Sequence, residues 1–245
     1  MKCSSCKNEL SAIEFYCKKC GELTDIIPDK LSAKICLNKT GKVFAKENIS
    51  FYLGVLILGF LPLILSIFAF ADNYFMLNSA VLIFGSVFLL PFSSLSSSSA
   101  KEKLNFADFL KLFKHYHKWF SLVLISELFY LISKIVCTGK PFFDYVHDPI
   151  LYPVEVILGF YWLAVILPVP YLMTVKKMNP FKAVYTAYPK GDATRWQQFF
   201  LFIIVGSLFA ASVLPLGIGL LFSLPFIFRN ILNYGKMMDE TGLFK

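Results

Sequence analysis

Long uncharged stretches alternate with short lysine-bearing segments along this sequence. The longest stretch, 196–228, has 33 residues without a charge. A single helix of that length would extend about 50 Å, whereas the hydrocarbon core of a bilayer is about 30 Å thick. The sequence Leu-Pro-Leu-Gly-Ile-Gly at 214–219 interrupts the stretch, and both proline and glycine disrupt helices. The stretch therefore predicts a hairpin of two membrane helices, 198–213 and 218–233.

Four further stretches are long and apolar enough to predict membrane helices. Stretches 48–71 and 73–100 carry no charge, and the serine-rich end of the second, 93–99, is typical of a polar exit from the membrane. The other two are 119–136 and 156–175. With the C-terminal hairpin, they predict an all-α integral membrane protein whose six transmembrane helices form three hairpins.

Composition supports a membrane protein. Hydrophobic residues make up 57% of the chain and charged residues 16%, against about 25% charged in ordinary soluble domains. The alternative is one buried helix of a soluble core, but a soluble domain would show a polar face, and the 196–228 stretch has none. These properties exclude an ordinary soluble domain.

A polar, lysine-bearing segment precedes each predicted hairpin. In 101–118, apolar residues alternate with lysines, which is typical of an amphipathic helix at the bilayer surface. Segment 25–47 carries an apolar stripe that predicts a similar interfacial helix, formed by Leu31, Ile35, Val43 and Phe44. Units 31–95, 101–175 and 179–235 recur weakly, either through duplication or through the periodicity of any six-span protein.

Positive charges are distributed very unequally between the two sides of this topology. With the N-terminus in the cytoplasm, 22 of the 24 lysines and arginines face the cytoplasm. Only Lys140 lies in an outer loop, and Lys134 lies within the third span. The positive-inside rule therefore predicts an inner-membrane protein with both termini in the cytoplasm. The net charge of +8 then reflects topology and attraction to membrane lipids, and no nucleic-acid partner is expected.

Two C-x-x-C pairs near the N-terminus give the strongest chemical signal in the sequence. Cys3 and Cys6 are followed, after ten residues, by Cys17 and Cys20. Four thiolates at this spacing can close a tetrahedral shell around a structural Zn²⁺ ion, and Gly21 permits the tight turn after the second pair. Two disulfides or a redox motif are the alternatives, although disulfides would require an oxidising compartment.

The cysteine pattern resembles the small zinc ribbons at the N-termini of many bacterial proteins. The resemblance implies that residues 1–24 form a zinc ribbon whose fold depends on the metal. Residues 25–47 are then a linker or interfacial segment, 48–235 the six-helix transmembrane domain and 236–245 a cytoplasmic tail. The first pair lacks the proline of the family's C-P-x-C-G knuckle. Cys36 and Cys137 lie outside the quartet and are expected to behave as small apolar residues.

The C-terminal quarter resembles a broad group of poorly characterised bacterial inner-membrane proteins. The resemblance is carried by Asn-Pro-Phe-Lys-Ala-Val at 179–184, Arg-Trp-Gln-Gln-Phe-Phe at 195–200 and Pro-Leu-Gly-Ile-Gly-Leu-Leu-Phe-Ser-Leu-Pro at 215–225. It implies an amphipathic pre-helix and a glycine-centred hairpin. A cytosolic zinc ribbon ahead of a helical bundle is also similar in plan to paraquat-inducible protein A and its lipid-transport relatives.

Two ionisable residues fall inside the third predicted span. Glu127 and Lys134 are seven residues apart, which places them two turns apart on one side of a helix. Ionisable groups within a membrane are costly and are candidates for a proton- or ligand-coupling site. The favoured explanation is a structural polar contact, or a shallow position of the helix that places Glu127 near the surface.

The sequence shows no arrangement of residues that points to catalysis. It has no nucleophile–base pair, no glycine-rich phosphate loop and no H-E-x-x-H helix, so no catalytic or cofactor-binding residue is expected besides the zinc ligands. The favoured interpretation is a non-enzymatic scaffold, recruitment or regulatory component of an envelope or membrane complex, with membrane lipids and a protein as partners. The alternative is a transporter or lipid-handling component that uses Glu127 and its proline-kinked helices.

Overall fold

The computed structural model describes most of the chain as helices. The described residues are 3, 6–9, 19–20, 31, 33–41, 49–70, 73–95, 105–138, 152–190, 194–213 and 219–244. Residues 139–151, between the third and fourth predicted spans, and residues 214–218, within the proline–glycine break, lie outside them.

The described residues form eleven α-helices, numbered in chain order. The first four are α1 (Ala33–Gly41), α2 (49–69, with a π-helical segment at Leu56–Phe60), α3 (74–89, with a π-helical segment at Val81–Gly85) and α4 (Phe92–Leu95). The next four are α5 (Phe106–Lys111), α6 (Tyr116–Thr138), α7 (Tyr152–Ile166) and α8 (Val169–Thr174), and a 3₁₀ turn at Leu112–His115 joins α5 to α6. The last three are α9 (Pro180–Lys190), α10 (Arg195–Val213) and α11 (Leu220–Glu240).

Five of the described helical segments are long and apolar enough to cross a membrane. They are Ser50–Ala69, Met76–Leu95, Phe106–Val136, Ile157–Thr174 and Arg195–Val213. Each contains most of a stretch in which the sequence predicts a span, and Phe106–Val136 also includes much of the predicted interfacial segment 101–118. Together the five segments indicate a multi-pass membrane protein. The two helices predicted for the C-terminal hairpin are also separate in the structure, as α10 and α11.

The sixth predicted span, 218–233, corresponds to α11, which is not among these five segments. The helix carries Arg229, Asn230, Asn233 and Lys236 in its second half, and these polar residues lower its mean hydropathy. Asn230 is nevertheless fully buried. A helix enclosed by other helices does not need a uniformly apolar surface, so the count of six spans stays a prediction.

Helix α11 lies at the centre of the helical body. It packs against α1, α2, α4, α8 and α10. In its first half, the buried ring of Phe228 meets Phe92 edge-on at 4.7 Å between centroids and stacks on Tyr52. In its second half, Gly235 lies directly against Tyr171 of α8, where an added Cβ would be 2.4 Å from the tyrosine Cβ. Close packing therefore extends along the whole helix.

Short helices form within the segments predicted as pre-helices, and each packs part of its surface against the body. In α5, Asn105 and Asp108 form a reciprocal capping box at the N-terminus. The buried ring of Phe109 lies where a Cβ on Gly54 of α2 would stand, 2.6 Å away, so the glycine permits the contact. In α1, Cys36 and Thr40 are fully buried. Val43 and Phe44 of the predicted apolar stripe lie outside the described residues.

Candidate metal centre and polar contacts

Three of the four predicted zinc ligands meet at one point. The sulfur atoms of Cys3, Cys6 and Cys20 all lie within 4.8 Å of one another. The Sγ atoms of Cys3 and Cys20 are 3.5 Å apart. Cys17, the fourth predicted ligand, lies outside the described residues. The structure thus brings together two residues of the first pair and one of the second.

Backbone hydrogen bonds fold the first pair into a tight turn. The amide of Lys7 donates to the carbonyl of Cys3 at 3.0 Å, and the amide of Cys3 donates to the carbonyl of Asn8 at 2.9 Å. Lys7, directly after the second cysteine, has φ of 56° in the left-handed region. Glycine adopts that conformation without strain, and Gly21 holds the corresponding place after the second pair.

The donor set fits a transition-metal ion. Zinc–sulfur bonds of about 2.3 Å place two thiolates on a tetrahedral shell about 3.8 Å apart, close to the Cys3–Cys20 separation. A disulfide would bring those sulfurs to about 2.05 Å. Cys3 is buried whereas Cys20 is exposed, so the cluster lies at the surface of a very small unit. These three residues could hold a metal ion.

The two candidate intramembrane residues both lie on α6. Glu127 is half-buried, and Lys134 is 9% exposed. The ion pairs among the described residues use the carboxylates of Asp108, Asp239 and Glu240, and Glu127 takes no part in them. Among the described residues, these ion pairs therefore do not join Glu127 to Lys134.

A polar junction between α1 and α11 is a feature that the sequence analysis does not predict. The Cys36 thiol donates to the backbone carbonyl of Asn230 at 3.4 Å and contacts its side-chain oxygen at 3.6 Å. One turn later, the Asn233 amide donates to the Thr40 hydroxyl at 2.9 Å. Nothing in the local sequence points to this junction, because its paired residues are 194 and 193 positions apart along the chain. Cys36 is buried, as expected of a small residue, and also takes part in this polar contact.

A second polar contact joins α8 to the C-terminal end of α11. The Tyr171 hydroxyl donates to Oδ2 of Asp239 at 2.9 Å, and the Lys176 ammonium lies 2.9 Å from Oδ1 of the same carboxylate. Met237 and Met238 beside it are buried, as are Leu243 and Phe244 beyond the helix. The end of α11 is therefore held against the body rather than extended from it.

Comparisons with known proteins return no relative of this chain. No protein-family profile, no curated protein and no solved structure matches it. The resemblances to bacterial zinc ribbons and to inner-membrane proteins therefore remain expectations from sequence motifs.

Proposed function

We propose that this protein is a non-enzymatic inner-membrane component whose N-terminal zinc ribbon recruits or senses a cytosolic protein partner. The observation that carries the proposal is the meeting of Cys3, Cys6 and Cys20 within ligand distance. Cys17 is proposed as the fourth ligand, because it completes two C-x-x-C pairs. A shell of four protein thiolates leaves no open position for a substrate, so the zinc is structural.

The orientation follows from the same chemistry. Thiolate ligands persist in the reducing cytoplasm, whereas an oxidising compartment favours disulfides. The excess of lysine and arginine in the segments between spans supports the same side for the N-terminus. We therefore place both chain ends in the cytoplasm and the spans in the inner membrane.

The attachment of α1 supports a recruitment role. Cys36 and Thr40 bind α11, so the chain is anchored to the membrane body from the first turn of α1. Cys20 precedes the buried Leu31 by 11 residues, which span at most about 40 Å when fully extended. A ribbon on such a tether stays close to the membrane and can present a partner to it.

Transport or lipid handling is the second candidate function. Its support is the burial of Lys134 within the Phe106–Val136 segment, because a buried cation in a span is costly. Glu127 on the same helix would act as the coupling carboxylate. Replacing Glu127 with Gln would abolish activity under this alternative and would leave partner recruitment unchanged under the favoured one.

A capture experiment tests the favoured function. The full chain, the Cys6→Ser variant and the Glu127→Gln variant are expressed at equal membrane levels, cross-linked in cells and purified in detergent. Recruitment predicts one cytosolic protein enriched with the full chain and with Glu127→Gln, and lost with Cys6→Ser. Equal recovery of that protein with Cys6→Ser, at equal membrane levels, would contradict the proposal.

A further inference from the structure

A row of exposed aromatic rings runs along α9. Phe181, Tyr185 and Tyr188 follow i, i+4 and i+7 spacing, which places them on one side of the helix. Their side chains are 69%, 80% and 55% exposed. A contiguous row of large exposed rings marks an interaction surface rather than scattered surface residues.

The opposite side of α9 is fixed against the body. Ala183 and Ala187 are fully buried there, and the helix packs against α6, α7 and α8. Their small side chains let the α9 backbone approach its neighbours closely. The bundle therefore sets the rotation of α9 and directs its aromatic row outward.

This row is continuous with the outer surface of the span α10. The Arg195 guanidinium donates to the Tyr188 carbonyl at 2.6 Å, so the end of α9 is attached to the start of α10. Trp196 and Phe200, on the first turns of α10, are 70% and 56% exposed. Ile203 continues this exposed surface further along the span.

Trp196 lies where α10 enters the membrane, and tryptophan and tyrosine concentrate at the headgroup level of a bilayer. The bond from Arg195 to the Tyr188 carbonyl holds the C-terminal end of α9 beside this start of α10. Exposed cations border the row. Lys182 lies on α9 between its inner and outer sides, and Lys177 lies just before the helix. Lysines beside a membrane surface bind anionic headgroups, each with about 1 kcal/mol.

We propose that the aromatic row of α9 lies in the headgroup layer of the bilayer that holds the protein, and that Lys177 and Lys182 bind the phosphates of anionic phospholipids there. The aromatic rings insert into the membrane–water interface, and the lysines favour negatively charged phospholipids. The proposal depends on the membrane spans and is independent of the zinc ribbon and its partner.

Photo-cross-linking in vesicles tests the position of α9. The photoreactive residue p-benzoylphenylalanine replaces Tyr185 in the full chain, and the protein is reconstituted into vesicles of phosphatidylcholine and phosphatidylglycerol in equal parts. The same residue in place of Ile203 is the lipid-facing control, and in place of the exposed Lys236 it is the water-facing control. Mass spectrometry after illumination is expected to find phospholipid adducts at 185 and 203, and none at 236.

Either of two results at 185 would overturn the proposal. A protein–protein adduct would assign the aromatic row to a protein contact. Absence of any adduct at 185, with lipid adducts at 203, would place the row in water.

The lysines are tested in the same vesicles. Replacing both Lys177 and Lys182 with Gln is expected to lower the ratio of phosphatidylglycerol to phosphatidylcholine adducts at 185 several-fold, about fivefold for each lysine at most. Total lipid adducts at 203 serve as the control for folding and reconstitution. An unchanged ratio would show that the two lysines do not bind the headgroups.

Discussion

The cysteine cluster and the surroundings of α11 represent two ways of holding a chain together. Among the described residues near the N-terminus, the buried apolar set consists of Cys3 with Cys6 packed against it. Around α11, by contrast, aromatic and aliphatic side chains from several helices are buried in one continuous core. A segment without a core depends on bonds to a metal, whereas a packed helix depends on the fit of its neighbours. Perturbations of one region should therefore leave the other intact.

Removal of the metal should give the largest loss of stability, and it should occur in the N-terminal segment. Structural zinc sites contribute about 10–16 kcal/mol at neutral pH, far more than a small segment gains by packing. Chelation, or Cys6→Ser, is expected to unfold residues 1–24 while the helical circular dichroism of the body is unchanged. Limited proteolysis followed by mass spectrometry locates the cleavage.

Cys36→Ser is the matched control for that experiment. Its thiol binds Asn230 of α11 instead of the cluster, so the variant should keep its full zinc content. Loss of zinc in Cys36→Ser, or resistance of residues 1–24 to protease after chelation, would contradict the separation of the two regions.

Gly235→Ala should give the next largest loss of stability, and this loss should be confined to the helical body. The new Cβ would lie 2.4 Å from the Cβ of Tyr171, which cannot move away without shifting α8. Overpacking of this kind costs about 1–3 kcal/mol. The melting temperature in detergent should fall, with zinc content unchanged.

Gly159→Ala is the control for overpacking. A Cβ at Gly159 meets nothing within 4 Å, and alanine in a helix is up to about 1 kcal/mol more stable than glycine. The melting temperature should stay the same or rise. Equal destabilisation by both substitutions would show that α8 and α11 do not pack as described.

Lys7→Gly should raise the stability of the metal-bound N-terminal segment, by less than Gly235→Ala lowers the stability of the body. A residue other than glycine in the left-handed region is strained by about 1–2 kcal/mol, and glycine loses part of that gain through greater freedom in the unfolded chain. We expect the variant to retain zinc at higher chelator concentrations than the unmodified chain. Asn8 does not lie in the left-handed region, so Asn8→Gly should retain no more zinc than the unmodified chain.

Removal of the Thr40–Asn233 hydrogen bond should give the smallest change in stability. Thr40→Val, Asn233→Ala and the double variant form a cycle whose coupling energy we expect to be about 0.5–1 kcal/mol. Hydrogen–deuterium exchange should rise in α1 in each single variant and in no other described helix. A coupling energy near zero would show that the two residues act independently.

The parts of the fold that depend on local pattern could be predicted from the sequence. Proline and glycine at 214–219 predict two helices in place of one, and the structure has α10 and α11. The C-x-x-C spacing brings Cys3, Cys6 and Cys20 together as predicted. Both signals act over short distances along the chain, so neighbouring residues suffice to determine them.

The parts that depend on partners distant in sequence could not be predicted. Cys36 and Asn230 are 194 residues apart, and nothing local shows that they meet. For the same reason, the apolar stripe of segment 25–47 predicts a helix on the bilayer surface, although α1 within it packs Cys36 and Thr40 against α11. The burial of Asn230 also explains why hydropathy alone does not decide whether α11 crosses the membrane.

The metal content of protein extracted from the membrane fraction shows whether the membrane-embedded chain holds a zinc ion at its N-terminus. Native mass spectrometry of the detergent-solubilised chain should show one zinc ion per polypeptide, and none in Cys6→Ser. A chain that is recovered from membranes without metal, or that carries a Cys3–Cys20 disulfide instead, would contradict the account.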